Sequence, residues 1–78
     1  MMIHPVKFKE TFEDESLDEI IKERNKLIRE IHRYEKGKIP LEDYCMDPSP
    51  EVIYMVNNEY LAELCYLIIE KKREEEQY

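Results

Sequence analysis

Glycine occurs once in the whole chain, at Gly37, and that scarcity removes several kinds of protein at the outset. A small β-barrel needs many tight turns with left-handed positions, and a phosphate-cradling loop needs glycines in series. Cysteine is nearly as scarce. Cys45 and Cys65 stand far apart with no CxxC or Cys/His ligand spacing, so neither a zinc site nor a disulfide framework is encoded, and two reduced, partly buried thiols are expected. Long apolar runs are missing too: the longest is LCYLII, against the roughly 20 residues a membrane span requires. The opening MMIHPVKFKE lacks the apolar centre of a signal peptide. The expectation is a cytoplasmic chain with no membrane partner.

Catalytic signatures are absent in the same way. No Ser/His/Asp or Cys/His arrangement has a local signature; His32 flanks an apolar arc and His4 lies in the leading arm. The chain is therefore expected to be no enzyme and to need neither metal nor cofactor.

What the chain has in quantity is charge and hydrocarbon: 40% charged and 42% hydrophobic residues over 78 positions, the composition of one domain made of long helices. Acidic residues number 19 and basic ones 12, for a net charge of −7, which repels phosphate backbones and argues against a nucleic acid partner. The expected fold class is all-α.

Residues 1–15 read as an N-terminal arm. Pro5 breaks its start, and Val6 and Phe8 alternate with Lys7 and Lys9, a period of two that predicts an extended strap. The helical domain spans 16–76. Ser16, with Glu19 three residues on, forms a capping box, so the first long helix is expected over about 17–36, closed by Gly37 and stopped by Pro40. A connector follows over 37–49, in which PLEDYCM predicts a single helical turn begun by Pro40. Ser49, Pro50 and Glu51 then start a second helix over about 50–75, whose charged end EKKREEEQY is expected to fray. The two long helices are predicted to fold back as an antiparallel hairpin.

The first of these helices is one-sided. Leu17, Ile20, Ile21, Arg24, Leu27, Ile28 and Ile31 fall within an arc of about 120°. Lys22, Lys26, Arg29, Arg33 and Lys36 form a solvated basic ridge behind it, flanked by Glu19, Glu23 and Glu30. The second helix has two apolar faces. Ile53, Val56, Asn57, Tyr60, Leu61, Leu64, Leu67 and Ile68 make the one that covers its neighbour. Tyr54, Met55, Ala62, Cys65, Tyr66 and Ile69 lie behind. A hairpin has one seam, so the second face is the expected interaction surface, and a homodimer closing into a four-helix bundle is the simplest way to bury it. Another protein is the other partner such a face admits.

Arg24 is a permanent charge amid hydrocarbon, and burial would oblige it to find acceptors. Asn57, Glu59 and Glu63 are the candidates, either as a buried polar contact that fixes register or as the wall of an anion site. ERNKLIREIHRYEKGKIP resembles the first long helix of the α-helical chorismate mutases, and LCYLII is similar to their last helix. That resemblance, over about a third of the chain, implies that Arg24 clamps a dicarboxylate. The sequence departs from the pattern where the family's catalytic lysine would fall, at Glu35, and IPLEDYCMDPSPE carries no arginine, so the cations that stabilise a dianion are missing. The primary expectation is a small non-enzymatic interaction or regulatory module; the alternative is a helical bundle that binds a small anion or dicarboxylate, in the extreme a divergent mutase-like protein.

Overall fold

The computed structural model describes residues 3–76, with the side chains of residues 43 and 44 outside the description. The first two residues of the arm, the last two of the charged tail and the side chain of Tyr44 in the connector turn are thus outside the described part of the chain. The fold is all-helical, with no strand among the described residues: α1 (Pro5–Phe12), α2 (Leu17–Glu35), a 3-10 turn (Leu41–Cys45) and α3 (Pro50–Glu76).

The arm is a helix, not an extended strap. His4 Nδ1 accepts a hydrogen bond from the Val6 backbone N–H at 3.2 Å, and Pro5 occupies the first turn, where its missing N–H costs nothing. Phe8 and Phe12, four residues apart, then fall on one face and both pack against the core. That spacing outweighs the alternation of Val6 and Phe8 with the lysines. An eight-residue helix is too short to persist alone in water, so α1 exists by virtue of what it touches. The Phe8 ring stacks on Tyr60 with centroids 4.0 Å apart, the Tyr60 hydroxyl donates to the Ile3 carbonyl, and Lys9 pairs with Glu70 at 3.0 Å. The Glu70 carboxylate also holds the Lys9 ammonium above its ordinary pKa.

Helix α2 begins where Ser16 Oγ accepts from the Glu19 N–H at 3.2 Å. The reciprocal half of the capping box is replaced by a Glu19–Lys22 pair at 3.4 Å. Lys26–Glu23 and Arg33–Glu30 pair at the same i, i+3 spacing, on an exposed ridge where each contributes at most a few tenths of a kcal/mol. The helix closes in a Schellman arrangement: the Gly37 N–H donates to the Tyr34 carbonyl (3.0 Å) and the Lys38 N–H to that of Arg33 (3.1 Å), with Gly37 at φ +70°.

A Cβ added at Gly37 would meet nothing within 4 Å, so the backbone conformation alone decides what a side chain does there. Gly37→Ala is expected to destabilise the protein by about 1 kcal/mol, the cost of the left-handed region for an L-residue, read as a lower urea midpoint with an unchanged slope.

Helix α3 packs along both α2 and α1. Its start meets the end of α2, where the Tyr34 and Tyr54 rings stack at 4.5 Å and the Tyr54 hydroxyl donates to Glu35 at 2.8 Å. That bond, with the nearby carboxylate charge, raises the Tyr54 phenol above its ordinary pKa. Toward its end α3 meets α1 and the turn after it, where Lys71 Nζ donates to the Glu13 carbonyl at 2.8 Å. Helical backbone continues through the charged tail as far as Glu76, because four of the last residues, Lys72, Arg73, Glu74 and Glu75, are good helix formers.

The core is small. Ile20, Leu27, Tyr60, Leu64 and Leu67 form its buried cluster, with Phe8, Phe12, Val56, Leu61 and Ile68 packed around it. The molecule measures 51 × 23 × 15 Å with a radius of gyration of 14.4 Å, against about 11.5 Å for a compact chain of this length.

Candidate interaction surface

Behind the core, α3 carries a row of uncovered apolar side chains. Met55 is 63% exposed, Tyr66 60%, and Val52 and Ile69 46% each; Ala62 and Cys65 are exposed as well. Between Val52 and Ile69 only Glu59 and Glu63 carry charge, and by length and composition α3 is long and apolar enough to cross a membrane.

Tyr54, grouped with that face by its angle, belongs elsewhere. Its ring lies on Tyr34 and its hydroxyl is engaged by Glu35, so it serves the contact with α2. Cys45 and Cys65 are both exposed free thiols, not partly buried ones: Cys45 sits in the connector turn and Cys65 on the outer side of α3.

Arg24 resolves differently from expectation. The buried residues Ile20, Leu27 and Ile31 flank it along the seam, yet the side chain is only partly covered. Its guanidinium donates to Asn25 Oδ1 through Nη2 at 2.9 Å and Nε at 3.3 Å. The charged head thus runs out to its own neighbour on α2, so no buried charge has to be matched across the helices. Glu59 is exposed, and Glu63, half-buried, acts electrostatically on Lys9. Arg24, Asn57, Glu59 and Glu63 are thus not drawn into one cluster. Glu35, where the mutase resemblance requires a lysine, is the acceptor for Tyr54.

Asn57 is nevertheless 9% exposed and the one buried polar residue in the described part of the chain. It lines a cavity of about 250 Å³ between the end of α2, the connector and the start of α3, together with Tyr34, Ile39, Met46, Pro48 and Ile53. Sequence reasoning missed this pocket because it depends on how residues 37–49 arch over the helix ends; the only signal was the run of prolines, Pro40, Pro48 and Pro50, which keeps the connector from following either helix.

His4 is a helix cap and His32 is exposed, and among the described residues no group of His, Cys, Asp and Glu is arranged to hold a metal ion. No protein-family model matches this chain, and neither a curated protein nor a solved structure matches it.

Proposed function

We propose that the chain is a small non-enzymatic interaction module: an antiparallel helical hairpin that pairs with a second copy through the outer face of α3, forming a four-helix bundle. The observation that carries this reading is surface area. A folded monomer of 9.6 kDa exposes about 5,100 Å², whereas this one exposes 5948 Å². The excess, roughly 850 Å², matches the area of about 800 Å² that one partner brings to a standard interface. It accompanies an elongated shape and a core of few residues, and a two-fold dimer is the commonest remedy for both.

Sedimentation equilibrium in detergent-free buffer tests the reading. A mass near twice 9.6 kDa at micromolar concentration is expected. A single-chain mass across the accessible concentration range, with helix content intact, would overturn it.

A further inference from the structure

The outer face of α3 has a repeat that goes beyond mere apolarity. Val52, Met55, Glu59, Ala62, Tyr66 and Ile69 follow one another at spacings of three, four, three, four and three, which is an unbroken heptad stripe of alternating a and d positions. All six are exposed. At about 100° per residue the stripe lies roughly 150° around the helix from the centre of the buried set Asn57, Tyr60, Leu64 and Leu67. It is a second seam, separate from the one that α1 and α2 occupy.

The spacing of the stripe also reads the same from both ends, about a midpoint between Tyr60 and Leu61. Apolar Val52 and Met55 stand on one side of the centre, apolar Tyr66 and Ile69 on the other, with Glu59 and Ala62 flanking the middle. A pair of antiparallel helices packs a positions of one against d positions of the other, and a two-fold axis requires each contact to occur twice. From these facts we infer that two copies of α3 pair antiparallel about that midpoint. Val52 lies opposite the partner's Ile69, Met55 opposite the partner's Tyr66, and Glu59 opposite the partner's Ala62. The inference rests on the homodimer proposed above and specifies its geometry.

Glu59 selects this arrangement over its rival. Parallel pairing in register sets Glu59 directly against the partner's Glu59, two like charges in one layer of an apolar seam, which is strongly unfavourable. Antiparallel pairing sets it against a methyl group, and the small alanine leaves room for the glutamate stem to carry its carboxylate to the edge and water. The four long helices then lie nearly side by side, with the two α3 helices inside and the two α2 helices outside, giving a flattened bundle.

Cross-linking tests the register. In a Cys45→Ser, Cys65→Ser background, chains bearing Met55→Cys alone and Tyr66→Cys alone are treated with a short bismaleimide, separately and mixed. The mixed 55–66 product is expected to exceed either self-linked product several-fold. Preferential self-linking of Met55→Cys, or a yield independent of mixing, would overturn the antiparallel register. Glu59→Leu tests the face and not the register: removing the one charge from the seam is expected to tighten self-association by roughly tenfold or more, and weaker association would count against this stripe as the seam. These outcomes are separable from failure of the dimer itself, which shows as a single-chain mass in sedimentation before any cysteine is introduced.

Discussion

Replacing Leu64 with alanine is expected to remove about 2–5 kcal/mol of stability, out of a total that for 78 residues is only about 4–12 kcal/mol. Leu64 is fully buried, 0% exposed, as is Ile20, and both belong to the same cluster with Leu27, Tyr60 and Leu67. The loss has two parts. The deleted carbons no longer leave water on folding, and the space they filled stays open because the neighbours cannot collapse into it. The second part is large here, since Tyr60 is held in place by Phe8 stacked on its ring and by its hydroxyl bond to Ile3. Urea unfolding followed by far-ultraviolet circular dichroism measures the effect; a change below about 1 kcal/mol would mean that Leu64 is not in a packed core. Met55→Ala on the opposite side of α3 is the contrast, because in an isolated subunit a side chain 63% exposed contributes little to folding.

The second large effect concerns association. Tyr66→Glu places a carboxylate on the exposed stripe, where Tyr66 is 60% exposed, so the subunit's own fold is left intact. In a two-fold dimer the same substitution acts twice, once from each chain. Each new carboxylate must either lose its water or hold the helices apart. The dissociation constant is expected to rise at least about 100-fold, equivalent to roughly 2.7 kcal/mol, and to be seen in sedimentation as conversion to single chains at unchanged helix content. An unaltered mass distribution for this variant would show that the outer face of α3 is not the contact between copies.

Much of the helical layout is legible in the sequence because local signals agree with it. Ser16 before Leu17, Gly37 after Glu35 and the Ser49–Pro50 step mark the ends of α2 and the start of α3 at the observed positions. The helical turn expected in PLEDYCM is the 3-10 turn Leu41–Cys45. The arm misleads because its signals conflict: four residues of alternation suggest a strand, while the decisive Phe8–Phe12 spacing and the capping by His4 matter only once α3 supplies a surface to pack on. Arg24 misleads for another reason. Angular position on a helix locates the Cα–Cβ bond, but a long side chain can place its charge several ångströms away, and here it turns to Asn25. The cavity beside Asn57 is out of reach because no periodicity governs the path of a connector.

The attachment of α1 has a consequence for how the molecule breathes. Eight residues held by two phenylalanine rings on the core, one tyrosine hydroxyl and one exposed lysine–glutamate pair form a latch that is expected to open at lower cost than the central cluster dissolves. On opening, α1 loses the contacts that keep it helical, so its amides are expected to exchange with deuterium before those of the buried cluster, and Tyr60 beneath it loses its cover.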